Sequence, residues 1–157
     1  MRDIITHLVF PTEAREAVEF YTSLVPGARV LDVVSYEMPS ADFEPLTIRF
    51  EMAGRVFYAI NGGSSFRFEQ GASLYVQCDT QEEIDLLWDG LSAGGRTEMC
   101  GWLTDRYGLS WQIVPSLVDD TIYGPDPAAA ERVVQAVLRS QKLDLDVIEA
   151  AIAGHEG

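Results

Sequence analysis

The chain has 157 residues, 47% of them hydrophobic, and Lys+Arg 11 against Asp+Glu 25 gives a formal net charge of -14. That length and apolar content suffice for one buried core, while the negative charge repels phosphate backbones and anionic lipid headgroups, so neither nucleic acid nor a membrane is an expected partner. The start, Met1-Arg2-Asp3-Ile4-Ile5-Thr6-His7, lacks a signal peptide's apolar core and cleavage site, and no window approaches the roughly 18 apolar residues of a membrane span; the expectation is a soluble cytoplasmic protein with Cys78 and Cys100 as buried free thiols.

Ile4 to Phe10 reads as a strand broken by Pro11-Thr12. Ala14, Ala17, Val18, Tyr21, Leu24 and Val25 then recur at helical spacing, with Thr12 as the expected N-cap. After Pro26-Gly27 come three β-rich runs, Ala28 to Tyr36, Leu46 to Met52 and Arg55 to Ile60, the last two joined by a turn at Ala53-Gly54. This is a β-α-β-β-β order, and it repeats. Ser73 to Cys78 alternates as a strand, Thr80-Gln81-Glu82-Glu83 is a capping box, and Ile84, Leu87, Trp88 and Leu91 make one helical face. Gly94-Gly95 ends that helix, and Arg96 to Met99, Cys100 to Thr104 and Leu109 to Pro115 supply three more strands, the last two around a turn at Gly108. The first helix maps onto the second at an offset of about 67 and Gly54 onto Gly108 at about 54, so the surplus of the first copy fits the polar loop Glu37 to Pro45.

Beyond Pro115, Asp126-Pro127 forms an N-cap and N1 pair ahead of the stripe Ala130, Val133, Val134, Val137 and Leu138. Asp144 caps a last helix using Leu145, Ile148, Ala151 and Ile152. Two such helices cannot bury their stripes alone and must dock on the body or on a second copy. The tail Gly154 to Gly157 is expected to be disordered.

The helix words Ala17-Val18-Glu19-Phe20-Tyr21 and Thr80-Gln81-Glu82-Glu83, the connector Asn61-Gly62-Gly63, and the closing run Cys100-Gly101-Trp102 to Trp111-Gln112-Ile113-Val114-Pro115 resemble the vicinal-oxygen-chelate (glyoxalase, bleomycin-resistance and dioxygenase) superfamily. The last two are similar to its PhnB-like branch, whose proteins carry a 3-demethylubiquinone-9 3-methyltransferase label. The resemblance implies an α+β fold of two βαβββ modules forming cupped mixed sheets, with a C-terminal helical extension. Residues 1–120 would form one such domain, with module 1 at about 1–63, module 2 at about 72–116 and the extra helices at 126–153.

The superfamily's metal-bearing members place one His or Glu near the end of selected strands, and a divalent metal needs about three or four converging N or O ligands. Counting from the helices, the matching positions fall on Thr6, on Tyr58 or Ala59, on Ser73 and on Gln112, with His7 turned to the opposite strand face. Thr, Tyr, Ser and Gln make a poor ligand set, so no metal and no cofactor is expected. Ser73, Tyr75 and Gln77 share a strand face that reads as the cup lining, and Trp102 beside Gly101 suits a pocket rim. The expected ligand pocket is therefore Thr6, Tyr58, Asn61, Ser73, Tyr75, Trp102 and Gln112. Asn61-Gly62-Gly63 lacks the Lys and Ser/Thr of a phosphate loop and reads as a flexible connector. Among the carboxylates, Glu51 is the nearest candidate for acid-base work. A methyltransferase would need a Gly-rich strand-to-helix loop for its cofactor, and the sequence contains none.

The expected protein is a homodimer that binds a small metabolite in metal-free cups. The rivals are a lyase, isomerase or dioxygenase-type enzyme acting on a small carbonyl compound, with Tyr58, Tyr75 and Gln112 polarising the carbonyl in a metal-independent version, and a structural or regulatory dimer with a vestigial cup.

Overall fold

Alternation of apolar residues produces the strands almost as the sequence implies. The computed structural model describes residues 4–35, 37–69 and 71–155, so the expected strand end at Tyr36 and the last two residues of the tail lie outside the described residues. The chain divides after Phe68 into two compact units. In the first, β1 (Thr6–Phe10), β2 (Arg29–Ser35), β3 (Leu46–Met52) and β4 (Arg55–Asn61) form one sheet in the order β1-β4-β3-β2, with β1 parallel to β4 and the other pairs antiparallel. The helix α1 (Ala14–Leu24) covers one face. Its buried Ala14, Ala17, Val18 and Tyr21 join Leu8, Phe10, Leu46, Ile48, Phe50, Phe57 and Ala59 in the core. Ala53 and Gly54 both take positive φ, which suits a two-residue hairpin to the strands' twist.

The second unit repeats the plan in shortened form. Its strands β5 (Leu74–Cys78), β6 (Arg96–Thr97), β7 (Trp102–Thr104) and β8 (Ser110–Pro115) lie in the order β5-β8-β7-β6, again with one parallel pair, β5 and β8. The helix α2 (Gln81–Ser92) opens on the expected capping box: Thr80 Oγ1 accepts the Glu83 N–H at 3.2 Å, and the Glu83 carboxylate accepts the Thr80 N–H at 3.3 Å. Ile84, Leu87, Trp88 and Leu91 are its buried face.

Three helices follow, where the sequence pattern marks two. The unanticipated one is α3 (Ser116–Ile122), which has no side-chain cap and contains Val, Thr and Ile, all weak helix formers. Asp126 and Asp144 cap α4 (Pro127–Arg139) and α5 (Leu145–Ala153) as expected. Val114, Val118, Val133, Leu143 and Ile148 make one buried cluster, which ties these helices to the end of β8. The segment before α5 also replaces sheet pairing, because the N–H groups of Cys100 and Gly101 donate to the carbonyls of Ser140 and Gln141 at 2.7 and 2.9 Å. Gly101 is obligatory there: a Cβ would stand 2.7 Å from the Ile113 carbonyl oxygen, and φ is +76°.

Candidate functional site

Each sheet has one face under its helix and one face turned away from it, and strand alternation decides which side chains stand on which. In the first sheet Leu8 and Phe10 point to the core, so Thr6 shares their face and His7 takes the other. The expected placement of Thr6 beside Tyr58 is therefore corrected, because a register error of one residue exchanges the two faces. His7 stands directly across from Tyr58, with ring centroids 6.4 Å apart in an edge-on arrangement. Tyr58 pairs with Arg49 and Arg49 with Asp32, so His7, Tyr58, Arg49 and Asp32 form one row across four strands. Arg49 and Asp32 are joined by a salt bridge. Glu51 lies two residues along β3 on this same face and is paired with Arg29 at 3.3 Å, an ordinary ion pair.

Asn61 stands on the opposite face from Tyr58, where its amide has a structural task. It is 4% exposed on the helix side, its Oδ1 accepts the Ala14 N–H at 2.8 Å, and its Nδ2 donates to the Glu44 carbonyl at 3.0 Å. It thereby does from 47 residues away what Thr12 was expected to do locally, since the N-cap of α1 is Glu13 and makes no side-chain capping bond. The next two residues are pinned as well: Gly62 and Gly63 donate to the carbonyls of Phe10 and Pro11, and a Cβ on Gly62 would meet Val9 at 2.5 Å. Asn61-Gly62-Gly63 is a packed clamp on the β1–α1 junction rather than a flexible connector.

In the second sheet the structure brings the other expected residues together. Gln112 on β8 pairs with Tyr75 on β5 and with Trp102 on β7, so the three side chains form a row on the face away from α2. Gln112 Nε2 donates to Ser73 Oγ at 2.9 Å, and its Oε1 has no donor among the described residues. Gln112, Ser73 and Trp102 are half-buried and Tyr75 is exposed. A carboxylate that the strand pattern does not reveal completes this face. Asp119 of α3 accepts from the Tyr75 hydroxyl at 3.0 Å and from Gln77 Nε2 at 2.6 Å. Burial, with this hydrogen bond and the carboxylate's charge, pushes the Tyr75 phenol far above its ordinary range, so it stays protonated.

The closing hairpin owes its form to Asp105, 3% exposed. Its Oδ1 accepts the N–H groups of Tyr107 and Leu109 at 2.8 and 3.0 Å, and its Oδ2 accepts the Trp111 indole at 2.9 Å. Asp followed three residues later by Gly is a turn signal; its reach to an indole six positions on is not legible locally.

Two βαβββ units with open mixed sheets define the vicinal-oxygen-chelate class. A model of the family described as 3-demethylubiquinone-9 3-methyltransferase matches residues 2–114, and the chain belongs to that family. A PhnB protein of Bacillus cereus described by the same methyltransferase name is 32% identical, covering 73% of this chain and 100% of its own, with a TM-score of 0.67. The Pseudomonas aeruginosa protein PA1353 is 21% identical over 73% of this chain and 98% of its own, at 0.63. The fosfomycin resistance protein FosX of Listeria monocytogenes shares the fold at 12% identity and 0.54, over 79% and 100%. No curated protein matches the chain. The family match stops before α3, α4 and α5.

The metal that the superfamily implies does not suit the donor set of this chain. His7 and Asp32 are the usual ligand types in the two rows, but they stand at opposite ends of the first and Asp32 is ion-paired with Arg49; Tyr58, Tyr75 and Gln112 are neutral oxygen donors, and among the described residues no three His, Cys, Asp or Glu side chains are grouped to hold an ion. No helix among the described residues is long and apolar enough to cross a membrane.

Proposed function

We propose that this protein binds a small, partly apolar metabolite without a metal, through neutral polar and aromatic side chains. The observation that carries this reading is the convergence of Ser73, Tyr75 and Trp102 on Gln112, whose amide is oriented by Ser73 while its Oε1 stays available to a ligand donor. An oriented amide beside an indole provides one directional contact and one apolar wall, the composition of a small-molecule site. Tyr75 already donates its proton to Asp119, which favours binding over proton transfer by that phenol. Methyl transfer, the activity in the family's name, is not part of the reading. Its nucleoside cofactor favours a glycine-rich loop between a parallel strand and a helix, and the corresponding connections here are Pro11-Thr12-Glu13 and Asp79-Thr80.

The reading includes a homodimer in the cytoplasm. It is supported by the terminal strand β2, whose Val30, Val33 and Val34 are exposed on a sheet edge, and by two free thiols, which suit a reducing compartment. Light scattering at micromolar concentration tests the dimer; a monomer would reject it.

The binding reading is tested with a thermal-shift screen of metabolites followed by calorimetry on the hit. Gln112→Ala is expected to lose one part-buried hydrogen bond, about 1–3 kcal/mol or roughly 5- to 150-fold in affinity, with the fold intact. Unchanged affinity in the folded variant would reject Gln112 as the central contact.

A further inference from the structure

On the first sheet, the side chains facing away from α1 leave an open, shallow cavity of about 310 Å³ lined by Asp32, Val34, Thr47, Arg49 and Tyr58. That volume is at the small end of ligand pockets, and four of its five lining side chains are polar. The chemistry of the lining is dominated by hydrogen-bond donors. Arg49 offers five N–H groups in a planar fork and is engaged by the single carboxylate of Asp32. The hydroxyls of Tyr58 and Thr47 have no hydrogen-bond partner among the described residues. The other carboxylate on this face, Glu51, is taken up by Arg29.

The Arg49–Asp32 pair is a weak explanation of itself as a structural device. Both side chains are about half exposed, at 51% and 53%, and ion pairs so placed add little to stability. In a chain of net charge -14, a guanidinium standing in a concavity beside two hydroxyls with no partner among the described residues matches the donor geometry that recognises a planar or tetrahedral oxyanion.

We propose that this cavity binds a small oxyanion group on Arg49, with Tyr58 and Thr47 donating beside it and Asp32 acting as the internal anion that holds the guanidinium in place until a ligand arrives. The assignment rests on the reading that the chain binds a small molecule, and it names the class: a metabolite with an anionic head, carboxylate or phosphate-like, whose apolar part meets Val34.

The test is a titration followed in ¹H–¹⁵N spectra, including the Arg49 Nε signal, with sodium acetate, inorganic phosphate and neutral acetamide at constant ionic strength. Acetate or phosphate is expected to give saturable shifts at Arg49, Tyr58 and Thr47, and the tighter of the two identifies planar or tetrahedral preference; acetamide is expected to give none. Arg49→Gln should weaken anion binding about tenfold or more. Asp32→Asn should tighten it, because the competing carboxylate is gone, whereas Asp42→Asn, which removes the same charge from an exposed loop, should leave it unchanged. No saturable response to either anion, equal binding in Arg49→Gln, equal binding of acetamide, or equal tightening in the two Asp variants would overturn the proposal. A neutral metabolite that still perturbs Gln112 would then show that only the anion assignment has failed; absence of any ligand-dependent change at Gln112 marks failure of the broader reading.

Discussion

In the first sheet the row His7, Tyr58, Arg49 and Asp32 crosses four strands and carries charge; in the second the matching row Tyr75, Gln112 and Trp102 crosses three and carries none. The second row is shorter because β6 keeps only two residues, and backbone groups that a longer hairpin would satisfy turn instead to Ser140 and Gln141. The comparison separates two things that a duplicated module might be thought to inherit together. The βαβββ scaffold determines where side chains stand, while the residue type at each position is free to become cationic in one copy and neutral in the other. It also shows why the C-terminal helices belong structurally to the second copy: they supply both the hydrogen-bond acceptors and the apolar cover that its reduced sheet lacks.

The largest expected effect breaks that last point. Leu143 is fully buried in the cluster that joins the extension to β8, so Leu143→Ala should cost about 3–4 kcal/mol in urea unfolding, whereas Val34→Ala, on the exposed strand of the first copy, should cost under about 0.5 kcal/mol. Near-equal losses would mean that the extension is an appendage. Asp105→Ala should cost about 2–3 kcal/mol by leaving two backbone N–H groups and the Trp111 indole without their acceptor. The near-ultraviolet dichroism of Trp111 reports the damage directly, and an unaltered spectrum would count against this role.

A smaller loss, about 1–2 kcal/mol, is expected for Asn61→Ala, which uncaps α1 at Ala14. Because Asn61 stands on the helix side, a ligand's affinity should stay the same; a selective loss of affinity in a stable variant would return Asn61 to the pocket. The thiols sharpen the comparison without altering stability at neutral pH. Burial, aided by the carboxylates of Glu83 and Asp79, pushes the Cys78 thiol up to about 11. The native fold therefore favours its protonated form, a contribution fully present below the thiol's unfolded value and lost as pH rises through about 11. At pH 8 a disulfide reagent should titrate part-exposed Cys100 in the native protein and Cys78 only in denaturant; prompt reaction of both would show that the β5 core opens readily.

Much of the fold was legible because its signals are local. Period-2 alternation, the Thr80 capping box, the Asp126-Pro127 and Asp144 caps and the turn at Ala53-Gly54 all stand where the pattern places them. What escaped depends on contacts distant in sequence or on parity. Thr6 and His7 stand on the faces opposite to those expected, since one residue of slack at Pro11-Thr12 reverses the parity of β1 relative to α1. Asn61 finds its partner at Ala14, Asp119 finds Tyr75 and Gln77 from a helix with weak propensity, and neither pairing has a local signature. That Ser73, Tyr75, Trp102 and Gln112 lie on one side of the second sheet was legible because strand alternation alone places them there. Arg49 and Asp32 have no local signature, because their ion pair joins neighbouring strands across a long loop.

Binding by the protein's own side chains without a metal is tested most directly by calorimetry with the screened ligand on protein before and after exhaustive chelation, with elemental analysis of both samples. The predicted result is the same affinity in each and no stoichiometric transition metal in either. Loss of binding on chelation, restored by adding back one equivalent of zinc, manganese, nickel or iron, would contradict it and would make His7 a metal ligand.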